Sequence, residues 1–189
     1  DGEYLDVWFY LNSYADNVTV KDNQFTGSSS PGYNVYTQDR TTIGLVIDGN
    51  TFSNGDEPIY MRGGLDWEIT DNTIYGDGDA SHIGIAARNG YGIIDGNTLI
   101  DSDGGILVDG ITANQVVNIT NNDISQSAGR TAPSAVGIWA EDCASSIINT
   151  GGNTISVMEN ALVTDGCDIN DSGSTMTAVA VSYTHLRAH

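Results

Sequence analysis

Apolar and polar residues alternate in short runs along nearly the whole chain, and Gly, Asn, Asp and Ser punctuate the joins. Runs of this length and period are those of half-buried β-strands, and no stretch carries the 3.6-residue period of a helix. One unit recurs: an apolar residue, two small or acidic residues, Asn, usually Thr, then another apolar residue. It reads VKDNQF at Val20 to Phe25, IDGNTF at Ile47 to Phe52, ITDNTI at Ile69 to Ile74, IDGNTL at Ile94 to Leu99, ITNNDI at Ile119 to Ile124 and TGGNTI at Thr150 to Ile155. The Asn residues fall at 23, 50, 72, 97, 122 and 153, so successive intervals are 27, 22, 25, 25 and 31 residues. A repeat of that length, with no helix in it, predicts an all-β solenoid of about seven coils rather than an antiparallel sandwich.

A second strand precedes each Asn unit: NVYTQ from Asn34, IYMRG from Ile59, IAARN from Ile85, ILVDG from Ile106 and IWAED from Ile138. Stacked coils bring equivalent residues to about 4.8 Å, which predicts an Asn ladder at the bends, since Asn tolerates a left-handed backbone and can bond to the Asn above it. Thr51, Thr73, Thr98 and Thr154 are expected beside the ladder, with the flanking aliphatic residues pointing inward.

These repeats resemble those of the pectate-lyase-like superfamily of right-handed parallel β-helix proteins. The resemblance covers roughly residues 5 to 165. It implies the fold and a habit of acting on, or adhering to, polysaccharides, because its motif specifies coils rather than chemistry. The family's Gly-His-Gly, Arg-x-Lys and paired-Asp signatures are missing, as is a calcium-and-Arg signature of a lyase.

Asp and Glu number 25 against 6 Lys and Arg, for a formal charge of −19. That balance argues against nucleic acid and anionic membrane, whose charges it has nothing to neutralise. It suits neutral sugars or divalent cations. No apolar run is long enough to span a membrane. The chain opens at Asp1 in mid-pattern, so the helix is expected to occupy 1–181 with further coils or domains outside it. Residues 182–189, SYTHLRAH, leave the pattern and resemble a translated adapter read-through.

Alternation places Val35, Ile59, Ile85, Ile106 and Ile138 inward, followed two residues later by Thr37, Met61, Ala87, Val108 and Ala140. One outward column then reads Tyr36, Tyr60, Ala86, Leu107, Trp139, and the next Gln38, Arg62, Arg88, Asp109, Glu141. Aromatic rings beside Arg and carboxylates suit a carbohydrate-binding face, made by Tyr36, Tyr60, Arg62, Arg88, Asp109, Trp139 and Glu141. A plain salt-bridged surface ladder is the competing expectation. Were there catalysis, Asp109 and Glu141 would be the paired carboxylates of a hydrolase, or Arg88 the base of a lyase, as the resemblance implies. His82 sits alone in a turn and is expected to face solvent. Asp56 and Glu57, Asp77 and Asp79, Asp101 and Asp103 all fall in the turn after an Asn unit, where hard oxygen ligands would suit calcium. Copper and zinc lack their usual ligands here.

Cys143 ends WAEDC and Cys167 ends VTDGC, one coil apart at 167 − 143 = 24 residues. Equivalent positions on adjacent rungs lie within reach of a disulfide. Such a bridge belongs to an extracellular, cell-surface or periplasmic protein. The sequence thus predicts an exported β-helix that binds polysaccharide or serves as an adhesin without catalysis. The alternatives are a polysaccharide lyase or glycoside hydrolase and a structural spacer.

Overall fold

In the computed structural model, residues 6–11, 15–27, 32–38, 42–76, 82–111, 113–127, 135–157, 159–177 and 180–183 are described. All of their regular structure is β, in three parallel sheets of 8, 7 and 7 strands. The first sheet takes every third strand in chain order: Asp6–Leu11, Gly32–Thr37, Ile59–Arg62, Ile83–Arg88, Gly104–Asp109, Val136–Glu141, Asn160–Asp165 and Ala180–Tyr183. The second runs from Thr19–Lys21 to Asp168–Ser172, and the third from Gln24–Thr26 to Thr175–Thr177. Each coil therefore contributes one strand to each sheet, and the sheets enclose a single core.

Inward residues stack by register. Val35, Ile59, Ile85, Ile106, Ile138 and Leu162 form one column in the first sheet. Val20, Ile47, Ile69, Ile94 and Ile119 form one in the second. In the third, Phe25 leads through Phe52, Ile74, Leu99, Ile124 and Ile155 to Met176. Most of these are fully buried, and each such side chain contributes roughly 1.5–3 kcal/mol relative to exposure. The second-sheet column changes character at Thr150, which is buried and donates its hydroxyl to Asp171 Oδ1 at 2.7 Å.

The bend between second and third sheets carries the Asn ladder. Asn23 Nδ2 donates to Asn50 Oδ1 at 3.1 Å, and Asn50, Asn72, Asn97 and Asn122 each donate to the next Asn at 3.0 Å. The same Oδ1 atoms accept a backbone N–H, as from Asn72 to Asn97 at 3.0 Å. The second Nδ2 proton reaches a carbonyl one coil back, Ile69 in the case of Asn97, at 2.9 Å. Every interior ladder amide is thus satisfied on both sides, which a buried amide requires. The ladder ends where Asn153 meets Ser174 Oγ at 3.4 Å.

Left-handed backbone at this bend falls one residue before each Asn rather than on it: Asp22, Gly49, Asp71, Gly96, Asn121 and Gly152 have φ between 53° and 67°. Glycine alternates strictly with Asp or Asn along that column. A Cβ on Gly96 would lie 2.5 Å from Asp71 Oδ1, and one on Gly49 2.7 Å from Asp22 Oδ1. Each side chain therefore folds over the glycine of the next coil, and like charges never face each other on adjacent rungs. Elsewhere Gly92 accommodates the buried Trp67 indole, 2.6 Å from where a Cβ would stand.

A disulfide joins Cys143 to Cys167, with the Cα atoms 4.9 Å apart. Both cysteines are buried at the end of the core. The last first-sheet strand pairs Ser182 with Val163 and Tyr183 with Thr164, so strand register runs two residues into the segment that departs from the repeat.

Candidate functional site

The outer face of the first sheet gathers the residues with chemistry. Its register aligns Tyr10, Tyr36, Tyr60, Ala86, Leu107, Trp139 and Val163 in one column. Tyr10 and Tyr36 lie 5.4 Å apart between ring centroids at 8°, and Tyr36 and Tyr60 5.3 Å apart at 26°. Tyr33, three residues before Tyr36, leans against both Tyr36 and Tyr60 at 4.9 Å. Parallel rings this close cannot lie side by side in one plane, so each covers part of its neighbour's face. Within the stack, edges and hydroxyls rather than open ring faces meet solvent, and Tyr10, with one ring partner among the described residues, is its exposed end. Tyr10 Oη donates to Gln38 Oε1.

Burial, then the negative Glu57, pushes the Tyr33 phenol up to about 12, and burial raises Tyr60 as well. These phenols stay protonated donors at neutral pH. Glu57 is itself held above the ordinary carboxylate range by burial, with Arg88 pulling the other way. Arg88 reaches across the column so that its guanidinium carbon sits 5.7 Å from the Tyr60 ring centre, while Nη1 lies 3.3 Å from Asp109 Oδ2.

The second outward column aligns Arg62, Arg88, Asp109, Glu141 and Asp165 on consecutive rungs. Two cations are followed by three anions. A column selected only for stability would alternate, because like charges directly opposite each other repel. Burial and then Asp109 raise the Glu141 carboxyl.

Other sequence expectations land differently. Ala86 and Leu107 share the outward column but are 0% and 2% exposed, so the face is not an open strip of side chains. Trp139, at 37% exposed, stands beyond them. His82 does not face solvent: it is buried, and its Nε2 pairs with Asp56 of the previous coil. Of the six turn carboxylates, Asp77 and Asp79 lie outside the described residues. Asp101 accepts from Ser127 N at 2.6 Å and from Ser127 Oγ at 2.8 Å, and Asp103 is buried. Among the described residues no three His, Cys, Asp or Glu side chains come together as metal ligands would. Tyr10 was legible one coil before Tyr36. Tyr33 and Glu57 were not: strict alternation sends Tyr33 and Tyr36 to opposite faces, and it is broken where Asn34 N and Val35 N both donate to the Pro58 carbonyl, while Glu57 lies before the next strand.

Among the described residues no helix is long and apolar enough to cross a membrane. Coils of three parallel strands, an internal amide ladder and a continuous aliphatic core define a parallel β-helix. Residues 9–178 match the right-handed β-helix region, and the chain belongs to that family. No curated protein and no solved structure matches it.

Proposed function

We propose that this chain is an extracellular or cell-surface β-helix that binds polysaccharide through the outer face of its first sheet, without catalysis in these coils. The observation that carries this is the segregated column: Arg62 and Arg88 stand together beside the tyrosine stack, and Asp109, Glu141 and Asp165 stand together beside Trp139. Like-charge neighbours cost stability, and a face that keeps them is shaped for a ligand. Protonated phenol edges would donate to sugar hydroxyls, the Arg pair would hold hydroxyls or a uronate, and the acidic block would accept from hydroxyls further along. Sugar stacking falls to Trp139, which is 37% exposed and lies three rungs beyond the tyrosine stack. The Cys143–Cys167 bridge supports an oxidising compartment.

A glycan array probed with wild type, Tyr60→Ala and Arg88→Ala tests the proposal. Wild type should bind a polysaccharide class that both variants bind at least tenfold more weakly. Equal binding by the variants, or no binding by wild type, would reduce this face to a solvated ladder.

A further inference from the structure

The third sheet differs from the other two in what it shows to water. Its seven three-residue strands run in unbroken register from Gln24–Thr26 to Thr175–Thr177. The second sheet, by contrast, carries a bulge at Tyr91 and Gly92. Two outward positions per strand make fourteen. One column holds Thr51, Thr73, Thr98, Thr154 and Thr175, and the other Thr26, Ser53, Ser125, Ser156 and Thr177. Ten of the fourteen are therefore Ser or Thr, and Asp123 is the one charge, on a chain of net charge −19. The exceptions in the second column are Tyr75 and Ile100.

These hydroxyls are also uncommitted. Among the described residues only Ser53 Oγ has a protein partner, the Phe25 carbonyl at 3.4 Å. On the second sheet Thr70 and Thr120 instead spend their hydroxyls on Asp48 and Asp95. Thr is stiff at χ1, so a column of Thr on a parallel sheet holds its hydroxyls and methyls at the rung spacing, about 4.8 Å, with the second column about 6.6 Å away. A single polymer chain needs only one row of partners. A two-dimensional array of hydroxyl and methyl groups with a single charge in it, Asp123, fits a ligand that is itself a two-dimensional lattice of donors and acceptors. The rung spacing is close to the shorter oxygen repeat on prism faces of ice, and the column spacing falls somewhat short of the longer one.

We infer that the third sheet is an adsorption face for ice, independent of the first-sheet site. Asp123 interrupts the Thr column, so the array is imperfect and its repair should strengthen adsorption. The test is partition of purified protein into a slowly growing ice hemisphere, with recrystallisation inhibition as a second readout. Wild type should enter the ice several-fold more than a non-adsorbing globular protein, Thr98→Lys should fall to the level of that control, and Asp123→Thr should enter more than wild type. Tyr60→Ala should partition as wild type does, which separates this face from the glycan site. Circular dichroism verifies that Thr98→Lys, changed only on the solvent side, keeps its fold. Exclusion of wild type from ice, unchanged partition of Thr98→Lys, or binding instead to crystalline cellulose or chitin that Thr98→Lys abolishes would overturn the assignment.

Discussion

Replacing Asn97 by Ala should be among the most damaging substitutions this chain can suffer without touching the hydrophobic core. Asn97 sits mid-ladder and is fully buried. Its Oδ1 accepts from the Asn72 backbone N–H and from Asn72 Nδ2, both at 3.0 Å, and its Nδ2 donates to Asn122 Oδ1 at 3.0 Å. After truncation Asn122 Oδ1 keeps the Asn97 backbone N–H at 3.0 Å, so that acceptor is not orphaned. Asn72, however, loses the acceptor of its backbone N–H and of one Nδ2 proton, while its other Nδ2 proton keeps the Ile47 carbonyl at 2.8 Å. At about 1–3 kcal/mol for each unsatisfied buried group, the cost is roughly 2–6 kcal/mol. Asn23 supplies the control. It is exposed, and Asn50 Oδ1 still receives the Asn23 backbone N–H at 2.9 Å once the side chain is gone. Asn23→Ala orphans no buried donor and should cost less than about 1 kcal/mol. Urea unfolding followed by circular dichroism measures both. Equal losses for the two variants, or a loss below about 1 kcal/mol for Asn97→Ala, would refute the view that the ladder stabilises by satisfying buried amides.

Three further outcomes follow from the same structure. Gly92→Ala places a methyl against the Trp67 indole and backbone and should lower the melting temperature by several degrees, while Gly166→Ala, with open space around it, should show only the smaller strain of its left-handed φ of 70°. Cys143→Ser with Cys167→Ser should cost roughly 3 kcal/mol by releasing a 24-residue loop in the unfolded chain, an effect that reductant reproduces on wild type and not on the double variant. Because burial raises Glu57 above its ordinary value near 4.5, the folded state holds that proton more tightly than the unfolded chain does. Its contribution to stability therefore falls as pH rises through the window between the two values, and the loss is complete above it. Unfolding free energies of wild type and Glu57→Gln, compared from pH 4 to 8, should diverge in that direction, and parallel curves would contradict it.

The features that repeat were legible from the sequence, and the ones that depend on a single neighbouring coil were not. Alternation and the Asn spacing fix which side chains point inward, because a one-residue slip would turn an entire strand inside out. The 24-residue cysteine separation is one coil, so its geometry was readable for the same reason. The left-handed backbone went to Asp22, Gly49, Asp71 and their equivalents because the Asn side chain is fully occupied in the ladder and leaves the tight bend to the residue before it. His82 was misplaced because its partner, Asp56, lies 26 residues earlier, and nothing in either turn announces the pairing. The face-to-face tyrosine stack follows from rung spacing, yet its consequence, that ring edges rather than faces meet solvent, appears only once Tyr33 is seen leaning across two rungs.

The claim that the first sheet recognises polysaccharide is tested most directly by mapping which sheet a bound oligosaccharide shields. Amide hydrogen exchange should be recorded with and without the tightest array ligand. Protection is predicted along Gly32–Thr37, Ile59–Arg62, Ile83–Arg88, Gly104–Asp109 and Val136–Glu141, with the second and third sheets unchanged. Protection confined to either of those sheets, or none on the first, would contradict the account.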